Sequence, residues 1–182
     1  MNKFKTIIAL FVITLLSSCS DDEGARDLAR YGFNYNSQFY ALNTASYVDE
    51  NVEDETTVSP LSITLSNVNL TSSNAISNVT KLYFDFDGIT LEEGEIASIQ
   101  DYSLEIGGAF VPNPEDENFT YTNGTFLLNS VQSGLTATEK IVTITSLTES
   151  NISLTFSFTR ADGQIFSGSY SGIYTDDSVV VE

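Results

Sequence analysis

Alternation of apolar and polar residues dominates the chain from residue 38 onward and predicts short strands. Leu61–Leu65 and Leu82–Asp87 alternate as half-buried strands do, and Leu82, Phe84 and Phe86 fall on one face of the second. Other strands are predicted at Gln38–Leu42, Ala45–Val48, Ile99–Ile106, Phe119–Thr122, Thr125–Leu128, Lys140–Thr145, Ile152–Thr159 and Ile165–Tyr174. No stretch of about ten residues after the N-terminal segment has a helical period.

Turn residues predict how these strands are connected. Asn123-Gly124 and Asp162-Gly163 each separate two strands and predict hairpins. Residues 38–48 are expected to form a shorter hairpin, and Gly107-Gly108 is expected to end a strand. Val111–Asn118 contains two prolines and is predicted to be a loop, because proline cannot donate a ladder hydrogen bond.

These strand lengths and turn spacings predict an all-β fold with a single antiparallel β-sandwich, with a β-barrel as the alternative. The expected organisation is a signal peptide at residues 1–18, an acidic tether at 19–37 that includes one helical turn at Ala25–Arg30, and the folded domain at 38–182. A domain of about 150 residues can bury a full hydrophobic core without disulfides.

Composition excludes several kinds of chemistry. The chain has 25 acidic and seven basic residues, a net charge of −18, no histidine and one cysteine. Without histidine there can be no Ser-His-Asp triad, no histidine zinc site and no haem ligated by histidine. So few basic residues exclude nucleic-acid partners, which require a positively charged surface. Carboxylate catalysis, tyrosine or lysine chemistry and an all-oxygen calcium site remain.

The N-terminus carries an export signal. Met1–Lys5 holds two lysines and no acid, and Thr6–Leu16 is an apolar run too short to span a bilayer. Leu16-Ser17-Ser18-Cys19 resembles the bacterial lipobox, which implies cleavage before Cys19 and a diacylglycerol and N-acyl lipid on that residue. The alternative is an ordinary secreted protein with a stray cysteine. Cleavage would leave a net charge of −20, because Lys3 and Lys5 are removed.

The cluster after the cysteine is acidic. Ser20-Asp21-Asp22-Glu23 resembles the surface-export signal of Bacteroidota lipoproteins, which implies a location on the outer face of the outer membrane. Otherwise the cluster is a solvated tether. Asp177-Ser178-Val179 resembles the O-glycosylation signal of the same phylum, which makes Ser178 a candidate acceptor.

The chain as a whole resembles the small surface lipoproteins of Bacteroidota. Besides the lipobox, the likeness is carried by Tyr40-Ala41-Leu42, Ile63-Thr64-Leu65-Ser66, Leu82-Tyr83-Phe84-Asp85-Phe86, Phe156-Ser157-Phe158-Thr159 with Asp162-Gly163, and Ser167-Gly168-Ser169-Tyr170-Ser171-Gly172. These motifs belong to strands and turns and not to a site of chemistry. The resemblance implies a fold and a membrane anchor and assigns no catalytic residue.

Two segments are candidates for ligand chemistry. Asp85 and Asp87 precede Gly88 like the start of a calcium loop, although a strand that ends in an Asp-Gly turn explains them as well. Phe166, Gly168, Tyr170, Gly172 and Tyr174 share one face of the last strand, which is either a platform for a sugar ring or part of the core.

The predicted function is that of a non-enzymatic binding or structural module on the cell surface. A glycan or a surface protein complex is the expected partner, with no cofactor other than the lipid and no metal. The alternative is a carbohydrate-active enzyme that uses a carboxylate pair. Asp85, Asp87 and Glu105 are expected to be the only acids on rigid strands, where such a pair would be held.

Overall fold

The structure is a computed structural model that describes residues 31–50, 56–70, 75–112 and 119–178. Within these ranges the chain forms strands and no helix. The strands are β1 (Gly32–Tyr35), β2 (Gln38–Ala41), β3 (Thr44–Asp49), β4 (Ser59–Ser66), β5 (Ile76–Gly88), β6 (Gly94–Glu95), β7 (Ile99–Pro112), β8 (Phe119–Thr122), β9 (Thr125–Asn129), β10 (Ala137–Leu147), β11 (Asn151–Arg160) and β12 (Ile165–Asp176). In the described part of the chain, no helix is long and apolar enough to cross a membrane.

The strands form one hydrogen-bonded sheet that folds over at β12. Its order is β6-β10-β11-β12-β3-β4-β5-β7-β8, with β1 on β12, β2 on β1, and β9 on β7. The two halves face each other across one core, since the ring of Tyr102 in β7 lies 5.5 Å from the ring of Phe158 in β11. Among the described strands the two ends of the order, β6 and β8, do not pair. The all-β prediction is confirmed, and the architecture is an open sandwich rather than a closed barrel.

Alternation along the strands fills this core as the sequence predicts. Leu61, Ile63 and Leu65 of β4 are buried, and so are Leu82, Phe84 and Phe86 of β5. In β11 the buried residues are Ile152, Leu154, Phe156 and Phe158. The Asp162-Gly163 hairpin is confirmed, because β11 pairs with β12 in antiparallel register and Gly163 has a φ of +86°.

One pairing in the sheet is parallel, which the antiparallel prediction did not include. The first part of β12 pairs with β11, but Tyr174–Asp176 runs parallel to Ala45–Tyr47 of β3. The cause is topological: β12 leaves one half of the sandwich and enters the other without reversing direction. This strand therefore joins the two halves.

The predicted hairpin at Asn123-Gly124 is wrong. Strands β8 and β9 both pair with β7, at Ala109–Pro112 and Ser103–Ile106, and not with each other. Gly124 lies against the backbone of β7, where an added Cβ would be 2.1 Å from the carbonyl oxygen of Ile106. Asn123-Gly124 is thus an irregularity between β8 and β9, which both pair with the long strand β7. That strand also continues through Gly107-Gly108, where the sequence pattern placed its end.

The N-terminal edge differs from its prediction as well. Strand β1 lies inside the range assigned to the tether, and β2 pairs with β1 rather than with β3. Asn36 and Ser37 form the turn between β1 and β2, with φ values of 48° and 63°, as in a type I′ hairpin. Residues 32–35 are therefore part of the sheet.

Candidate functional site

A cleft of about 310 Å³ opens where β12 crosses from one half of the sandwich to the other. Strands β3 and β4 form its floor, and the end of β12 and the segment after β4 form its walls. It is lined by Asn43, Thr44, Ala45, Ser46, Thr64, Ser66, Asn69, Leu70, Tyr170, Gly172, Ile173, Thr175 and Asp177. Most of these residues carry a hydroxyl or amide group, although apolar atoms form most of the exposed lining, and Asp177 is the only charged residue among them.

A row of three hydroxyl side chains crosses the floor. Thr175 of β12 is in register with Ser46 of β3, which is in register with Thr64 of β4. Residues in register project from the same face of a sheet, on strands about 4.8 Å apart. Thr175 donates a long hydrogen bond of 3.5 Å to the carbonyl oxygen of Ala45. The hydroxyls of Ser46 and Thr64 have no hydrogen-bond partner among the described residues.

The neighbouring hydroxyl pair is bonded internally. The Oγ1 of Thr44 and the Oγ of Ser66 are 2.8 Å apart, so one hydroxyl donates to the other, and the accepting hydroxyl donates its own hydrogen to the carbonyl oxygen of Val68. These bonds fix the segment after β4 against β3. The floor thus has one satisfied row and one row with free hydrogen-bonding capacity.

The end of β12 is held rigidly as a wall of the cleft. Tyr170 is buried, its hydroxyl donates to the carbonyl oxygen of Ile173 at 2.6 Å, and burial raises its pKa. Ile173 is 69% exposed and presents an apolar edge. The backbone N–H of Asp177 donates to the carbonyl oxygen of Tyr47 at 2.8 Å, which extends the parallel ladder past the end of the strand.

Ser178, the candidate glycosylation site, takes part in the same attachment. Its Oγ accepts a hydrogen bond of 2.8 Å from the backbone N–H of Asp49, and its own N–H donates to Asp176. The hydroxyl is therefore held beside β3 in a half-buried position. Val179, the third residue of the glycosylation motif, lies outside the described residues.

Glu105 lies in a closed ionic cluster on the outer face of the sheet. The side chain is 0% exposed, and its carboxylate is 3.1 Å from the Nζ of Lys81. Tyr121 donates its hydroxyl hydrogen to Glu105 at 2.7 Å, and the N–H of Gly124 donates at 3.3 Å. The Nζ of Lys81 is also 4.2 Å from the centre of the Tyr121 ring. Burial, together with the hydrogen bond to Glu105, raises the pKa of Tyr121.

This cluster stabilises the irregularity at Gly124 and has no open space for a substrate beside the carboxylate. Every oxygen of Glu105 accepts a hydrogen bond or faces the ammonium group. Its arrangement is typical of a structural ion pair, which replaces water around a buried charge.

Asp85 and Asp87 lie on the outer face of β5, where their carboxylates are used by a neighbouring strand. Asp85 accepts a hydrogen bond from the backbone N–H of Asp101, and Asp87 accepts one of 2.6 Å from Gln100. Burial raises the pKa of Tyr83, which lies two residues before Asp85 on the same strand, and the nearby charges of Asp85, Asp101 and Glu50 raise it further. Among the described residues, no three acidic or cysteine side chains are grouped to hold a metal ion.

The expectation that Asp85, Asp87 and Glu105 are the only acids on rigid strands is wrong. Asp49, Asp101 and Glu139 also lie in strands. Asp49 is buried and accepts a hydrogen bond of 3.0 Å from the hydroxyl of Ser59. The predicted strands ended just before Asp49 and began just after Glu139, whereas Asp101 lies inside the predicted strand Ile99–Ile106 and was overlooked there.

The aromatic face of β12 belongs to the core. Phe166 and Tyr170 are buried, and the backbone of β1 covers the space over Gly168, where an added Cβ would be 2.1 Å from the carbonyl oxygen of Gly32. The core interpretation is therefore correct for Phe166, Gly168 and Tyr170, whereas Gly172 lies at the edge of the cleft.

Comparisons of the chain with protein-family models, with curated proteins and with solved structures yield no match. The predicted lipidation site, Cys19, and the acidic segment Ser20–Glu23 lie outside the described residues. The cleft itself was not predicted from the sequence. Its only trace there is the presence of Ser and Thr at outward positions of strands β3 and β4.

Proposed function

We propose that this protein is a lipoprotein that acts as a non-enzymatic binding module on the cell surface. Cys19 anchors it to the outer membrane through its lipid, and the acidic segment Ser20–Glu23 directs it to the outer face. The observation that carries the binding function is that the hydroxyls of Ser46 and Thr64, two members of the row, have no hydrogen-bond partner among the described residues. Rigid, paired strands hold this row in an open cleft, as in a binding site that is already formed before the ligand arrives.

The charges of the cleft favour binding over catalysis. Glycoside hydrolysis by two carboxylates requires an acid and a second carboxylate on opposite sides of the bond. The cleft contains one carboxylate, that of Asp177. Glu105, the most buried carboxylate on a strand, is paired with Lys81 instead. The enzyme alternative therefore has no carboxylate pair in the cleft.

The proposal is tested by filling the cleft. Thr64→Trp places a large ring on its floor, and Thr155→Trp places the same ring on the exposed outer face of β11 as a matched control. We expect a screen of chemically diverse small molecules to find compounds that bind the wild type and the control but not the filled variant. Binding that survives Thr64→Trp would refute the cleft as the binding site. Turnover of a bound compound would favour the enzyme alternative.

A further inference from the structure

We propose that the cleft binds a neutral, hydroxyl-rich ligand of the sugar class, through hydrogen bonds to Ser46, Thr64 and Asp177. This inference rests on the proposed binding function and names its ligand. Three properties of the cleft support it: the charge of its lining, the kind of hydrogen bonds it leaves open, and its apolar walls.

Charge argues against an anionic ligand. The described lining contains Asp177 and no basic residue, and the whole chain has a net charge of −18. A negatively charged protein repels anions before they reach a cleft of the same sign. Phosphorylated, sulfated and carboxylated compounds are therefore disfavoured, and neutral compounds remain.

The open hydrogen-bonding groups require a ligand that both donates and accepts. A serine or threonine hydroxyl can do either, whereas an ionised carboxylate only accepts. The ligand must donate to Asp177 and can exchange either kind of bond with Ser46 and Thr64. Hydroxyl groups meet both requirements. A ligand with several of them can bind several positions of the row at once, because neighbouring strands are about 4.8 Å apart.

Apolar groups border the hydroxyl row and select a ligand with a hydrocarbon face. Leu70 and Ile173 line the walls, and the methyl groups of Thr64 and Thr175 belong to the floor. A lipid chain would cover these groups but would leave the hydroxyls of the row unpaired, which is unfavourable. A sugar ring, with C–H groups on its faces and hydroxyls at its edge, satisfies both kinds of surface. The volume of about 310 Å³ restricts the ligand to a small unit.

The test uses the full chain, kept in solution by a detergent without a sugar headgroup. Ligand-observed NMR titrations measure the affinity for glucose, galactose and N-acetylglucosamine, with glucuronate as the anionic probe. Thr64→Val removes one hydroxyl at constant shape, and Asp177→Asn removes the charge. Their matched controls are Thr155→Val on the outer face of β11 and Glu149→Gln in an exposed turn.

We expect at least one neutral sugar to bind, and glucuronate to bind more weakly. Thr64→Val should weaken the binding of that sugar by about three- to tenfold through the loss of one hydrogen bond, and Asp177→Asn by a similar factor because an amide oxygen is a weaker acceptor than a carboxylate. The controls should leave the affinity unchanged. Equal losses in the control variants, or glucuronate binding as tightly as the neutral sugar, would overturn the proposal.

The same samples separate this inference from the proposed function. If no sugar binds, but a non-sugar compound from the screen binds the wild type and not the Thr64→Trp variant, the sugar assignment is wrong and the proposed binding function stands. If neither sugars nor screen compounds bind the wild type in a manner sensitive to Thr64→Trp, both proposals are wrong.

Discussion

Replacement of Lys81 by methionine is expected to destabilise the domain more than its partly exposed position implies. Methionine keeps most of the aliphatic stem but removes the ammonium group 3.1 Å from Glu105. The carboxylate, 0% exposed, then keeps the hydrogen bonds from Tyr121 and Gly124 but has no opposite charge. An uncompensated charge in a buried site is far less favourable than a paired one.

The expected magnitude follows from the burial of the two partners. Breaking a fully buried ion pair by removing one partner costs about 3 to 5 kcal/mol. Lys81 is 23% exposed, so water already screens part of the interaction, and about 3 kcal/mol is a reasonable expectation. For a domain of this size, that loss corresponds to a fall of roughly 6 to 12 °C in Tm.

Urea unfolding of the single and double variants checks this reasoning. Lys81→Met/Glu105→Gln should be more stable than Lys81→Met alone, because glutamine carries no charge and can still accept the hydrogen bond from Tyr121. Lys140→Met is the matched control. The Nζ of Lys140 donates to the carbonyl oxygen of Ile99 at 2.7 Å, so its loss should cost about 1 kcal/mol. A cost for Lys81→Met no larger than that of the control, or a double variant no more stable than the single one, would refute the reasoning.

Four further predictions follow from the anchor, from Gly124 and from Tyr121. Cys19→Ala should release the protein from the membrane fraction or leave it unprocessed, which fractionation and intact mass would detect. Alanine at residues 21–23 should protect the protein from protease added to whole cells, whereas unchanged cleavage would make the segment a tether only. Gly124→Ala should lower the free energy of unfolding, measured in urea, by at least about 3 kcal/mol, because the added Cβ would overlap backbone atoms of β7. Asn123→Ala is the neighbouring control and should have a smaller effect. Because the pKa of Tyr121 is raised in the folded state, that residue contributes stability below the ordinary tyrosine pKa of about 10, and this contribution is lost as pH rises further. The pKa values of Tyr83 and Tyr170 are raised as well, so an ultraviolet titration of Tyr121→Phe should show one late-ionising phenol fewer than the wild type.

Strands with one buried face were predictable because burial imposes a period of two on the sequence. In β11 the four apolar residues from Ile152 to Phe158 and the hydroxyl residues between them leave only one register compatible with a dry core. The connections were not predictable in the same way. Asn123-Gly124 satisfies the local requirements of both a tight hairpin and an irregularity, and the choice depends on the distant strand β7. Strand β1 has only four residues, too few to show a period.

The candidate site was less predictable than the fold, since it depends on where β12 ends in space. Ser46 and Thr64 are ordinary outward residues, and they line a cleft only because β12 brings Ile173 and Asp177 alongside them. That juxtaposition results from a parallel pairing between segments more than 120 residues apart. Asp85 and Asp87 of β5, by contrast, were candidates for a calcium site because of their spacing. In the structure they accept hydrogen bonds from residues at the start of β7.

Because β12 joins both halves of the sandwich, folding of this domain depends on a strand that is synthesised after the other eleven described strands. Until residues 165–178 are available, β11 and β3 each have an open edge, and such edges pair readily with other chains. The contacts that complete the native state span nearly the whole domain, a topology of high contact order that slows folding. The domain should therefore remain largely unfolded until residues 165–178 have been synthesised and released, and a chain that ends before residue 165 should be sensitive to protease within strands β3 and β11.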